Sequence, residues 1–129
     1  MKPLAISMGE PAGLGPDLLL RLFSERATRK LPPFIVFGHA GFLAERAKRL
    51  GLDIAIVESG TDSAADLFGH ALPVISIEGV VEDRPGETQA TSAPVVIGAI
   101  KGAVASVMAG ACRALVTAPI HKAALYQAG

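Results

Sequence analysis

At 129 residues, half of them apolar, the chain holds enough material for one α/β domain with a core, which excludes a disordered polypeptide. Twelve basic and twelve acidic side chains cancel, so no net charge draws it to nucleic acid or to an anionic membrane. The single cysteine, Cys112, excludes an internal disulfide. The opening Met1-Lys2-Pro3-Leu4-Ala5-Ile6 has neither the apolar core nor the cleavage site of a secretion signal, so the expected compartment is the cytoplasm.

Leu4-Ala5-Ile6-Ser7-Met8 is a short apolar run that stops at glycine, the pattern of a buried strand. Gly9-Glu10-Pro11-Ala12-Gly13-Leu14-Gly15-Pro16 has three glycines and two prolines in eight residues and reads as a loop. Pro16 suits the first turn of a helix, and Asp17 complements the positive end of its dipole. Leu18, Leu19, Leu22 and Phe23 then form the expected apolar stripe, with Arg21, Glu25 and Arg26 on the other side.

The alternation continues. Phe34 to Phe37 reads as a strand, His39 to Leu50 as an amphipathic helix stopped by Gly51, and Ile54 to Val57 as a third strand. Residues 58–70 are small and polar, a surface connection, and Leu72 to Ile77 is a further strand. Glu82 to Ser92 is a loop containing Pro85-Gly86. Pro94 to Ala109 is a nearly uncharged helix, Ala114 to Thr117 the next buried strand, and a last helical stretch begins at His121. No repeat or domain boundary interrupts residues 1–129, so the expectation is a single doubly wound α/β region with a parallel sheet covered on both faces.

One stretch reaches the length of a membrane span, because Ala93 to Cys112 is twenty residues long and almost uncharged. Lys101 at its centre costs about 2.5–3.5 kcal/mol on insertion scales, and its Ala/Gly-rich flanks offset little. A helix of a soluble protein, buried on most faces and partly by a partner subunit, is expected instead. Gly98 and Gly102 would let it approach the sheet closely.

A glycine-rich turn between a buried strand and a helix is an arrangement for binding an anion, with free helix N–H groups pointing at the ligand. The spacing here, G-x-x-x-G-x-G over Gly9, Gly13 and Gly15, is neither the dinucleotide fingerprint nor a nucleotide-triphosphate loop, so a plain tight turn stands equally open. Glu10 could contact a ligand hydroxyl or be solvated. Thr117 to Lys122 forms the second segment, just past the carboxyl end of a parallel strand, where α/β sheets carry ligands. Lys122 could hold a phosphate or carboxylate, polarise a carbonyl, or be a solvated surface residue, and His121 could move a proton near neutral pH but reads rather as a capping or packing residue. His39 and His70 read as structural or exposed, and no histidine spacing makes a metal site.

The two segments together carry a resemblance. Met8-Gly9-Glu10-Pro11-Ala12-Gly13-Leu14-Gly15-Pro16-Asp17 resembles the opening motif of the 4-hydroxythreonine-4-phosphate dehydrogenases. Leu115 to Leu125, followed by Ala128-Gly129, resembles a second motif, with Arg84-Pro85-Gly86 and Ala93 to Ile97 in order between them. The resemblance covers the whole chain. It implies oxidation of 4-phosphohydroxy-L-threonine with NAD or NADP in vitamin B6 (pyridoxal phosphate) biosynthesis, and a fold like that of isocitrate and isopropylmalate dehydrogenases. It also implies a homodimer with the site near its interface and a divalent metal held by histidines of both subunits. Gly9, Glu10, Gly13, Gly15, Asp17 and Thr117 are the implied cofactor- or substrate-binding residues, with Lys122 the catalytic candidate at the edge of the site.

The family's Gly-His-Thr-Glu segment and metal-binding histidines would follow Gly129, so this chain contains no metal ligand of that set. The expectation is a truncated chain, inactive alone, that matches the N-terminal part of such an enzyme. Related alternatives are dehydrogenases of phosphorylated sugar acids, such as 4-phosphothreonate, or of aromatic cis-diols. An alternative of another class is a non-catalytic α/β domain that binds an anion or dimerises through its apolar helix.

Overall fold

The structure is a computed structural model that describes residues 2–84, 86–87 and 90–117. Strands β1 (Leu4–Ser7), β2 (Phe34–Gly38), β3 (Ile56–Glu58), β4 (Leu72–Ser76) and β5 (Leu115–Thr117) form one parallel sheet in the order β3-β4-β2-β1-β5. Helices α1 (Gly15–Ser24), α2 (Ala40–Arg49), α3 (Ala64–Leu67) and α4 (Ala93–Met108) connect them. The expected α/β class is therefore observed.

The period-2 alternation of β2 divides the core. Phe34 and Val36 join Leu19, Leu20, Phe23, Phe42, Leu43 and Ala47 on the α1/α2 face. Ile35 and Phe37 join Ala5, Ala64, Ala99, Ala103 and Cys112 on the α3/α4 face. A parallel strand buried on both sides must be apolar at every position, as Phe34-Ile35-Val36-Phe37 is.

Several boundaries differ from the sequence expectation. The third strand is Ile56–Glu58 rather than 54–57, because Leu52 and Ile54 pack instead against the core as it approaches the sheet. The 58–70 connection contains a 3₁₀ turn and the short α3. His39 precedes α2 as its N-cap, its Nδ1 accepting from the Phe42 N–H at 3.0 Å, the structural role expected for it.

Three burial expectations are corrected. The stripe of α1 that faces the core is Leu19, Leu20 and Phe23, while Leu18 and Leu22 are exposed. Strand β5 is exposed along its length, because it lies at the sheet edge with β1 as its pairing neighbour. Helix α4 buries Ala93, Val95, Val96, Ala99 and Ala103 but leaves Pro94, Ile97, Lys101, Val104 and Met108 outside, so this chain by itself covers one face rather than most. Its glycines act as expected. A Cβ at Gly98 would lie 2.7 Å from Ile77 Cγ2, and one at Gly102 would lie 3.1 Å from Phe37 Cδ2. By length and composition alone Ala90–Met108 could cross a bilayer, yet here it lies against the sheet.

Candidate functional site

The sheet order reverses beside β1, with β2, β4 and β3 on one side and β5 on the other. In open parallel sheets the crevice at such a reversal, outside the carboxyl ends of the strands, is where ligands sit. The glycine-rich turn and Thr117, the described residue of the second segment, both lie there. The glycine-rich turn leaves the carboxyl end of β1, and Ser7, the last residue of β1, is paired in register with Thr117, the last of β5. The Ser7 hydroxyl is buried and has no hydrogen-bond partner among the described residues. Lys122 and His121 lie outside the described residues.

The turn has a definite internal structure. Gly9 has φ +81°, a conformation in which any Cβ is strained. Glu10 is buried rather than solvated. Its carboxylate accepts from the Ala12 N–H at 3.2 Å, and its carbonyl accepts from the Gly13 N–H at 3.0 Å. Gly13 closes that turn, and Gly15 opens α1. Helix geometry leaves the Gly15 and Asp17 N–H groups without intrahelical acceptors, and Pro16 between them has no N–H to satisfy.

What holds the turn in place is a residue that the sequence reading missed. Arg46 on α2 has a side chain only 1% exposed. Its Nη2 donates to the Pro11 carbonyl at 2.6 Å, inside the turn, and its Nη1 donates to Asp17 Oδ1 at 2.5 Å. Its Nε donates to Asp83 Oδ1 at 2.7 Å. A planar guanidinium can serve three acceptors in a fixed fork, which an ammonium cannot. Asp83 Oδ2 accepts from Arg49 Nε at 2.7 Å. A few residues on, the Gly86 N–H donates to the Ala12 carbonyl at 2.9 Å, so the loop that opens at Glu82 grips the turn a second time.

Among the proposed binding residues, Asp17 therefore has its charge engaged by Arg46. The sequence signal for this was present but unread. Arg46 sits on the stripe of α2 that buries Phe42, Leu43 and Ala47, and a charge on an apolar stripe requires buried partners.

Burial pushes the Asp83 carboxyl upward, but hydrogen bonds from Arg46 and Arg49, with their charges, more than reverse this and hold it below its ordinary value. A depressed folded-state pKa contributes stability that is present above the unfolded value of about 3.9 and is lost as pH falls through the folded one. We therefore expect Asp83→Asn to be destabilised relative to the parent at pH 6, with the gap closing toward pH 3. Urea unfolding of both proteins across that range measures it. An equal gap at both ends would mean that the charge of Asp83 contributes nothing.

Among the described residues no group of three His, Cys, Asp or Glu side chains is placed to hold a metal ion. The divalent metal implied by the resemblance therefore does not fit the described residues. For a cofactor or substrate anion the turn offers the two N–H groups of Gly15 and Asp17, a partial cradle.

The sequence matches, over residues 30–129, the family described as pyridoxal phosphate biosynthetic protein PdxA. A 4-hydroxythreonine-4-phosphate dehydrogenase of Bradyrhizobium diazoefficiens is 40% identical over 136 aligned residues, which take in 99% of this chain and 39% of that protein. One of Xanthobacter autotrophicus is 39% identical over 127 residues, 98% of this chain and 36% of that protein. The crystal structure of a 4-hydroxythreonine-4-phosphate dehydrogenase from Burkholderia phymatum superposes with a TM-score of 0.88 at 25% identity, over 100% of this chain and 39% of that one. This chain thus spans less than two-fifths of the length of these relatives. With the family matched over most of its length and the fold superposing throughout, the chain belongs to the PdxA family.

Proposed function

We propose that this chain supplies one wall of the active site of an NAD(P)-dependent, divalent-metal-requiring dehydrogenase that oxidises 4-phosphohydroxy-L-threonine in vitamin B6 biosynthesis. The observation that supports this most is coverage. Relatives named 4-hydroxythreonine-4-phosphate dehydrogenase align with 98–99% of the chain, while the chain accounts for 36–39% of them. Of the two motifs, the glycine-rich turn and Thr117 lie at the carboxyl ends of neighbouring strands.

The part played by these residues is positional. The Gly15 and Asp17 N–H groups face an anionic group of substrate or cofactor, and the Asp17 carboxylate, engaged by Arg46, does not oppose that charge. Arg46 and Gly86 fix the backbone that presents them. Metal and nicotinamide supply the Lewis acid and the hydride acceptor in such an oxidation, and their ligands belong to the rest of the fold. Working in the cytoplasm as a homodimer is part of the same reading.

A consequence is that the 129 residues by themselves turn over no substrate. The purified chain, given 4-phosphohydroxy-L-threonine, NAD and a divalent metal, is expected to show no NADH absorbance above a no-enzyme blank. Sustained NADH formation would falsify the one-wall reading.

A further inference from the structure

The glycine-rich turn holds a carboxylate that no cation among the described residues neutralises. Glu10 is only 6% exposed, and its Oε1 accepts from the Ala12 N–H at 3.2 Å. The second oxygen has no partner among the described residues. It is not sealed in, because the Ser7 hydroxyl is the one side-chain polar atom of the described residues that is both fully covered and unpaired. Nor does any ion pair among the described residues reach Glu10. Arg46, which holds the carbonyl of the next residue, has its three nitrogens engaged by Pro11, Asp17 and Asp83. Glu10, Asp17 and Asp83 set three carboxylates against the two guanidiniums of Arg46 and Arg49, which leaves one negative charge over. A charge so deeply buried without a counter-charge costs the fold, and an incomplete polar group at a switch point marks a place that a ligand completes.

We infer that Glu10 receives a positively charged group of a ligand whose phosphate lies at the amino end of α1. The inference rests on the anion reading of the Gly15 and Asp17 N–H groups proposed above and adds the other half of the ligand. A negative carboxylate in the same turn as a positive helix end favours a molecule that carries both signs over a plain phosphate of the same size. An organic cation fits better than a metal ion, since no three His, Cys, Asp or Glu side chains gather among the described residues to ligate one. Two constituents of the proposed reaction join such a charge to a phosphate. The amino-acid substrate carries an ammonium, and the oxidised cofactor carries a nicotinium ring.

The test is an NMR titration of the isotope-labelled 129-residue chain, followed at the Gly13, Gly15 and Asp17 amides. Two pairs of probes differ in the positive charge: O-phosphoethanolamine against ethyl phosphate, and nicotinamide mononucleotide against its reduced form with a neutral ring. The charged member of at least one pair is expected to bind about fivefold more tightly or better, the effect of a charge-assisted contact still partly open to water. The pair with the larger gain identifies the cation as ammonium or nicotinium. Glu10→Gln keeps an acceptor for the Ala12 N–H and should bring the charged members down to the affinity of the others. It should also leave the urea midpoint unchanged or raise it, because it removes a buried charge that has no partner. Equal binding within both pairs, or a difference that survives Glu10→Gln, overturns the inference and leaves the anion reading standing. No shift with any of the four probes removes both. A clear fall in the urea midpoint of Glu10→Gln assigns the charge to the fold and overturns the inference alone.

Discussion

Replacing Arg46 with methionine is expected to destabilise the fold by about 3–5 kcal/mol, the range for removing one partner from a buried ionic cluster. The loss has two parts. The Pro11 carbonyl loses its buried donor, and Asp83, itself buried, keeps only Arg49 as a counter-charge. Since small domains hold only about 5–15 kcal/mol in total, the variant is expected near the edge of folding. Urea unfolding of the parent, Arg46→Met and Arg46→Lys measures this. Lysine keeps the charge but cannot serve three acceptors in a fork, so it should fall between the other two. The double variant Arg46→Met with Asp83→Leu should regain part of the loss, because it removes the stranded carboxylate as well. A cost under about 1 kcal/mol for Arg46→Met would show that water already screens the cluster.

Phe23→Ala is expected to cost a similar amount, about 3–5 kcal/mol, from lost burial and the cavity left behind. Its ring is almost fully buried and meets Phe68 edge-on at 5.3 Å and Phe34 at 6.3 Å between centroids. Arg26 lies 3.9 Å over the same ring and donates to the Phe68 carbonyl at 2.7 Å and the Gly69 carbonyl at 2.9 Å. The cluster pins the carboxyl end of α1 as Arg46 pins its amino end, and the two together set how the glycine-rich turn is presented. Thermal or urea unfolding reads the cost. A shift of less than about 1 kcal/mol would mean that Phe34 and Phe68 close over the space.

The order of elements was legible because it rests on local periodicity. Apolar runs such as Phe34 to Phe37 bounded by turn residues, and Gly9-to-Pro16 with its density of glycine and proline, depend only on neighbouring residues. The same is true of the GxxxG in α4, whose close approach to the sheet was anticipated from residue size and occurs at Ile77 and Phe37. Periodicity failed where too many positions are apolar to fix a phase. In α1, leucines at 18, 19, 20 and 22 allow more than one stripe, and packing against Phe34 and Phe68 selected Leu19, Leu20 and Phe23. In α4, a helix apolar all round gave no indication of which face lacks a neighbour.

The amino-acid sequence by itself thus determined the α/β class, the placement of the glycine-rich turn after the first strand, and the family resemblance, since each is written in short contiguous segments. Only the tertiary structure decided that Arg46 is buried. Its partners Asp17, Pro11 and Asp83 stand 29, 35 and 37 residues away, and no local pattern pairs them. It decided likewise that Ser7 and Thr117 share one end of the sheet, and that β5 and the outer ridge of α1 stay uncovered. Burial is a property of what packs against a residue, and that is set by chain segments far apart in sequence.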